Sequence, residues 1–537
     1  MDKNYEEILK KGLLKVSEKK YDESKFFFEK LIKINKQRYE GYLNLSNIHV
    51  IKGDFVNANN LLKYYLLNIG HSNEIVNAIA INLFNNKKSE ELKNHIDLYL
   101  NEYNNHLLNY LKAYNLNLDN NSSDSIIFLK KSIKLKRDFW QSYELLFNIY
   151  NKKSMLIEMS KLLYESKKIF LDKYELLYFE ALYNFRNLNF KLCNKILNDE
   201  KLIIYITNLQ NSKYQANYYD LLSKNNEKLL NFQKSLEYAI KRNKIIINNE
   251  TKKGLEKKSL SDTINSYAIF FNNKNKLLFN SNTSGIEHSN LTFLIGFPRS
   301  GTTLLDSILR THSNTIVLEE KSYLLDIRHD FYKNNKISKL LNLEDNSKIK
   351  MQEKYFSSFN YDSNKTIIDK FPLNLIELGF IKILFPNAKI ILAIRHPLDC
   401  IISCVLTAFK INEAMLNFEN LKTTSFFYNQ VFSLLFKYIK FFNIKFHQVK
   451  YENIVLNFDD EIKKILNYLN LDFETNMKNF FETAKSRENI NTPSYDQVTK
   501  PLYSNSINRH LNFHEIKKIA TTVDYWVEYF DYEKINF

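Results

Sequence analysis

The sequence predicts an α plus α/β chain, in which a solenoid of paired helices precedes an α/β domain with a central parallel sheet. Three observations predict it. In the N-terminal half, Gly12, Tyr21, Ser24, Phe28 and Leu31 recur about 34 residues later as Ser46, Phe55, Ala58, Leu62 and Tyr65, the self-similarity of stacked two-helix units. In the C-terminal half, Leu291 to Ile295 and Ala388 to Ile394 are short, near-continuous apolar runs, as in strands buried on both faces. Directly after the first run comes Gly296-Phe297-Pro298-Arg299-Ser300-Gly301-Thr302-Thr303, a tight turn that leads into a helix with one apolar face.

A chain of 537 residues exceeds what a single hydrophobic core serves, so more than one domain is expected. Its 44% hydrophobic content supplies burial, and 9 glycines with 6 prolines are too few for a flexible, linker-rich chain. The net charge of +16 is spread along the whole length, with Lys scattered among Asn, Ile, Phe and Tyr. Nucleic-acid binding calls for a concentrated basic surface, so no such partner is expected, whereas a small anionic ligand is compatible. Cys193, Cys400 and Cys404 lack paired spacing and suggest neither a disulfide framework nor a metal site. Charges in Met1 to Glu7 stand where an export signal needs a basic start and an apolar run. The apolar runs fall short of the roughly 20 residues that span a bilayer, so no membrane span and a reducing, cytoplasmic setting are expected.

Within each N-terminal unit, a small residue midway along the first helix lets the second approach, the aromatic before Ser24 or Ala58 plugs the pair, and Gly53 serves the turn. This pattern resembles the tetratricopeptide repeat. It continues through Tyr143, Leu146 and Tyr150, then through Leu177, Ala181, Phe190 and Cys193, with an unrelated helical bundle as the alternative. Such stacks present a groove suited to a peptide or another domain and carry no chemistry themselves, so recruitment of a protein, peptide or glycan acceptor is expected. The Asn/Lys-rich stretch from Asn243 to Ser259 and the polar run from Asn280 to Asn290 mark a boundary. The expected domains are 1–242 (helical repeats), 243–289 (helical connector) and 290–537 (α/β).

The loop after the first strand has glycines for tight folding, backbone N–H groups at a helix N-terminus, and the hydroxyls of Ser300, Thr302 and Thr303. Together these make a cradle for phosphate or sulfate. A nucleoside triphosphate loop carries G-x-x-x-x-G-K-[ST], whose Lys reaches the terminal phosphates. Thr302 stands where that Lys would be, and Arg299 lies inside the loop. A donor that needs no metal fits this change. Pro298-Arg299-Ser300-Gly301-Thr302-Thr303 is similar to the phosphosulfate loop of sulfotransferases, and the whole chain resembles the tetratricopeptide-repeat-containing sulfotransferases, relatives of the tyrosylprotein sulfotransferases.

That resemblance implies PAPS as donor, PAP as product and no metal. It implies that Arg395 and Ser403, on the strand and helix around Arg395-His396-Pro397, grip the 3′-phosphate, while loop amides with Arg299 hold the other end. It also implies that Glu320, after the strand-like Thr315 to Glu319, is the base that takes the acceptor proton, with Glu319 as competitor. Lys370, closing Thr366 to Lys370, would stabilise the departing oxygen, although Phe371 replaces an acidic residue of the tyrosylprotein enzymes. Tyr451, ending a strand from Gln448, and Lys500, within the donor-covering segment Ser494 to Pro501, are further donor contacts. His312-Ser313 departs from the His-Pro common among relatives. The expected reaction is in-line sulfuryl transfer to a hydroxyl, a peptide tyrosine being one acceptor. A glycan or small hydroxyl compound, a nucleotide-dependent kinase or hydrolase, and a non-catalytic repeat adaptor are the alternatives.

Overall fold

The computed structural model describes residues 2–209, 211–278, 290–334, 336–486 and 498–534. Residues 280–289 of the polar run and 494–497 of the donor-covering segment lie outside the described residues. The chain forms two compact units, Met1–Leu202 and Ile203–Phe537.

The first unit is a series of helical repeats. Asp2–Ser17 pairs with Tyr21–Ile34, Tyr39–Ile51 with Phe55–Asn68, and Asn73–Asn85 with Ser89–Tyr99; the series continues to Phe190–Leu197. First helices begin at Tyr39, Asn73, His106, Trp140 and Glu175, keeping the step of about 34 residues. Phe28, Leu31, Leu62 and Tyr65 are buried between the helices. A Cβ on Gly12 would lie 2.6 Å from Phe28 Cε1, so that position must stay small. Each turn within a pair carries one left-handed residue: Lys19, Gly53, Lys87, Asn120, Ser154 and Leu188. The sequence marked only Gly53. At the other turns a side chain accepts strain of about 1–2 kcal/mol, which the packing of the pair outweighs.

The second unit starts with another such pair, Ser212–Lys228 and Phe232–Lys252, joined by a left-handed Leu230. The second helix runs on through Asn243, where composition suggested an edge, because Arg242 and Asn243 are buried and bonded to the carbonyl of Val405. Composition divides the chain at 242/243 and 289/290; packing divides it at 202/203.

The sheet has strands β1 (Leu291–Gly296), β2 (Thr315–Glu319), β3 (Thr366–Lys370), β4 (Lys389–Ile394) and β5 (His447–Lys450), in the order β2-β3-β1-β4-β5. Neighbouring strands are all parallel. Alternate residues enter two cores. Phe293, Ile295, Ile367, Ile390 and Leu392 pack on one face; Leu294, Ile368, Ile391, Ala393 and Val449 pack on the other. Helices cover both faces, which is why the strands read as continuous apolar runs. Parallel register places Gly296, Glu319, Lys370, Ile394 and Lys450 at one edge, the carboxyl ends where ligands bind in open α/β sheets. β5 stops at Lys450, and Tyr451 opens the helix Tyr451–Leu456 instead of ending the strand. Among the described residues, no helix is long and apolar enough to cross a membrane.

Candidate active site

Residues 297–301 turn sharply because Arg299 (φ 72°) and Gly301 (φ 97°) both have left-handed backbones, while the Ser300 N–H donates to Phe297 O at 3.1 Å. The helix Thr302–Leu309 follows at once, with the Leu305 N–H donating to Gly301 O at 3.0 Å. The N–H groups of its first turn have no partner in the preceding turn, so they are available to an anion. A Cβ on Gly301 would stand 2.9 Å from Tyr451 Cδ2, so the aromatic ring is laid directly against the loop.

Beside the loop lies a partly open cavity. Arg299, Gly301, Thr302, Thr303, Arg395, Tyr451 and Lys500 all line it, joined by Leu304, Phe480, Val498, Leu502, Tyr503 and Ser506. Ser300 and Ser403 stand behind this lining: Ser300 Oγ lies over Gly296, and Ser403 Oγ accepts from Arg299 Nε at 3.0 Å. Arg395 donates to Arg299 O at 3.3 Å and to Ser506 O, and its guanidinium lies over the Tyr451 ring, 5.0 Å from the centroid. Arg395 Nε is buried without a hydrogen-bond partner among the described residues. Arg299, Arg395 and Ser403 therefore form one hydrogen-bonded group.

The guanidinium groups of buried Arg395 and half-buried Arg299 share one wall and repel each other. Burial pulls the Arg299 guanidinium down to about 10, and the charges of Arg395 and Arg509 add to the fall. Burial acts on Arg395 in the same sense, but Asp399 together with Cys400, Tyr451 and Glu452 outweighs it and holds that group above the ordinary arginine value. A bound anion would relieve both penalties.

Glu320 and Lys370 lie outside the cavity lining, where β2 and β3 end. The Glu320 N–H donates to Lys370 O at 2.8 Å, extending the pairing with a left-handed residue (φ 48°). The Lys370 ammonium donates to Glu320 Oε1 at 2.7 Å, while Glu319 Oε1 is 3.7 Å away. Side-chain exposure separates the two glutamates: 38% for Glu320 against 13% for Glu319. Glu320 is thus both nearer the lysine and more open to an incoming group.

Several supporting residues carried no motif. Asp306, on the first helix after the loop, approaches Lys370 to 3.6 Å. Asp399 stands between Arg395 (3.5 Å) and His510 (2.7 Å from Nδ1), and the His510 N–H donates to it at 2.8 Å. His396 stacks on His510 at 4.1 Å, and burial with that neighbour pulls it down to about 4. Asp399, in the first turn of the helix that follows Arg395, was a usable signal because it is close in sequence; His510 and Ser506 offered none. Arg242 donates to Asp220 (2.6 Å), Val405 O (2.8 Å) and Leu406 O (3.1 Å), fixing the last turn of the helix Pro397–Leu406 that carries Ser403. At the departure His312-Ser313, the Ser313 N–H and hydroxyl both donate to Glu474, a bond from N–H that proline lacks. Among the described residues, no group of three or more His, Cys, Asp or Glu side chains is arranged to hold a metal ion.

Comparison with known proteins places this geometry. Residues 292–475, from β1 past the end of β5, match the family described as the sulfotransferase family. An uncharacterized protein of Aquifex aeolicus (strain VF5) is 26% identical over 235 residues, covering 40% of this chain; the match spans 30% of that relative's length. The sulfotransferase domain from the curacin biosynthetic pathway is 16% identical, covers 46% of this chain and 98% of its own, and has a TM-score of 0.34. The sulfotransferase domain of the Synechococcus PCC 7002 olefin synthase is 19% identical over 45% and 94%, with a TM-score of 0.33. A tetratricopeptide repeat protein from Parabacteroides merdae is 14% identical over 47% and 97%, with a TM-score of 0.36. The chain thus joins helical repeats in its N-terminal half to a domain of the sulfotransferase family in its C-terminal half.

Proposed function

We propose that this domain moves the sulfuryl group of PAPS to a hydroxyl acceptor, in the cytoplasm and without a metal. The observation that carries the reading is the cavity beside the loop, where the guanidinium groups of buried Arg395 and half-buried Arg299 meet and Arg395 Nε has no hydrogen-bond partner among the described residues. Such a wall suits a ligand with several anionic groups. Tyr451, Phe480, Val498 and Leu502 add apolar and aromatic surface on the same cavity, as a nucleotide base needs. Arg299 and Arg395 would hold phosphate, with Ser403 supporting Arg299 from behind and Lys500 on the same cavity. The amides of residues 301–303 and the hydroxyls of Thr302 and Thr303 would face the phosphosulfate, with Ser300 behind them.

PAPS supplies an activated sulfuryl group. The acceptor oxygen forms a bond to sulfur, the bridging sulfur–oxygen bond breaks, and its electron pair leaves with PAP. Glu320 takes the acceptor proton as that oxygen attacks, and Lys370 offsets the charge growing on the bridge oxygen. A positioned base of this kind is worth about 10²–10⁴ in rate, and a preorganised charge at the leaving oxygen about 3–4 kcal/mol. The acceptor we favour is a peptide tyrosine, because helical repeats commonly serve protein recognition. A glycan or small hydroxyl compound suits the same chemistry.

Calorimetry with PAP and incubation with radiolabelled PAPS and fractionated cell material test this reading. We expect PAP to bind, label to enter the protein fraction, and Glu320→Gln to lose about 10²–10⁴-fold in kcat with PAP affinity retained. Label in polysaccharide or small molecules would replace the acceptor. ATP binding that PAP does not compete would replace the reading with a kinase, and PAP binding without transfer to any pool would leave an adaptor.

A further inference from the structure

We propose that Asp306 is a positioning residue for this reaction: its carboxylate, 3.6 Å from Lys370 Nζ, keeps the lysine charged when Glu320 takes up the acceptor proton. The proposal rests on the roles of Glu320 and Lys370 given above.

The Lys370 side chain is fully buried. An ammonium in that position is costly without a partner and tends to lose its proton. Before transfer, Glu320 supplies the nearest negative charge at 2.7 Å. A protonated Glu320 no longer does, at the moment when charge on the departing oxygen is greatest. Two carboxylates then remain near the lysine: Glu319 at 3.7 Å and Asp306 at 3.6 Å.

Asp306 is the better fixed of the two. Arg310 holds its Oδ1 from behind, through Nε at 2.9 Å and Nη2 at 2.8 Å. Its Oδ2 is buried, has no hydrogen-bond partner among the described residues, and lies 3.6 Å from Lys370 Nζ. Charges therefore alternate along Arg310, Asp306, Lys370 and Glu320. Asp369, next to Lys370 on β3, points to the opposite face and accepts from Tyr355 OH at 2.6 Å, so it is not the compensating group. Burial lifts the Asp306 carboxyl above the ordinary aspartate value, against the pull of Lys370 and Arg310. Asp306 sits on the helix that begins at the anion loop, so the lysine is set relative to the donor by the element that cradles it.

Asp306→Asn keeps the shape of the side chain and an acceptor for Arg310 while removing the charge. The alkaline limb of kcat should move down by about one pH unit or more, the usual effect of losing an opposite charge at this range, with PAP affinity within about twofold, and Asp306→Glu should restore the limb. Lys370 itself can be followed by NMR of protein labelled at lysine Cε, its resonance being the one absent from Lys370→Arg. An unchanged Lys370 titration in Asp306→Asn would overturn the proposal, as would loss of PAP binding in step with activity. The NMR titration needs no turnover, so it decides the coupling even if the parent transfers no sulfuryl group, an outcome that would count against the proposed function alone.

Discussion

Two glycines with the same backbone strain and different neighbours separate the fold from the site. Gly301 has φ 97° and Gly53 has φ 79°, so alanine at either costs about 1–2 kcal/mol in the left-handed region. Around Gly53 a Cβ meets nothing within 4 Å, whereas at Gly301 it lands 2.9 Å from Tyr451 Cδ2. Carbon atoms settle at about 3.5–4.0 Å, so the tyrosine ring must retreat by more than half an ångström. That ring lies under the Arg395 guanidinium, 5.0 Å from its centroid, and moving it displaces a cation of the anion cavity. Gly301→Ala and Gly53→Ala should each lower the stability of their own unit by about 1–2 kcal/mol in urea titrations. Only Gly301→Ala should weaken PAP binding in calorimetry, by about tenfold or 1.4 kcal/mol. Equal PAP affinities for the two variants would refute the claim that Tyr451 is set against the loop to support Arg395.

Three further outcomes are expected. Burial raises the Asp369 carboxyl to about 7, against the Tyr355 hydrogen bond and the Lys370 charge. The folded state therefore holds a proton that the unfolded chain releases near 3.8, and this contribution to stability is present below pH 4 and lost as pH rises to 7. Its slope is about 1.4 kcal/mol per pH unit; Asp369→Asn should flatten the pH dependence of urea midpoints over that window, and identical slopes would count against it. Arg242→Met breaks a buried ion pair, frees the Leu406 carbonyl and leaves Val405 O to Asn243 alone, so it should cost about 3–5 kcal/mol and weaken PAP binding through the helix that carries Ser403. PAP affinity equal to that of the parent in the folded variant would disconnect that helix from the site. Leu188→Gly, at an exposed left-handed turn position, should gain up to about 1 kcal/mol, read as a higher melting temperature; a lower one would show that the leucine packs usefully.

The sequence disclosed what is contiguous. A strand, a glycine turn and a helix follow one another between Leu291 and Leu309, so the anion loop was legible without knowing any distant contact. The helical step of about 34 residues was legible for the same reason, since each unit closes mainly on itself and its neighbours. The burial of Asn243 was not legible from composition, because a polar side chain reads as exposed unless its partners are known, and its partners, Val405 and Phe418, lie 162 and 175 residues away. The turn residues Lys19, Lys87, Asn120, Ser154 and Leu188 were equally silent, since packing of the helix pairs imposes a backbone that their chemistry does not favour.

The same distinction divides the candidate site. Residues that face the cavity, such as Arg299, Thr302 and Arg395, belong to short motifs because strand ends and helix starts position them locally. Residues that set those groups in place come from elsewhere. His510 reaches Asp399 across 111 residues, and Arg242 reaches Val405 across 163. Glu320 and Lys370 meet because β2 and β3 are neighbours in the sheet, a fact of topology and not of spacing. Asp306 lies inside the legible stretch yet reads as one more polar helix residue, since its meaning depends on a lysine from β3 that only the folded sheet brings to it. The charge held on Lys370 is therefore a property of three strand and helix ends at once, and the substitutions that test it need not touch the donor.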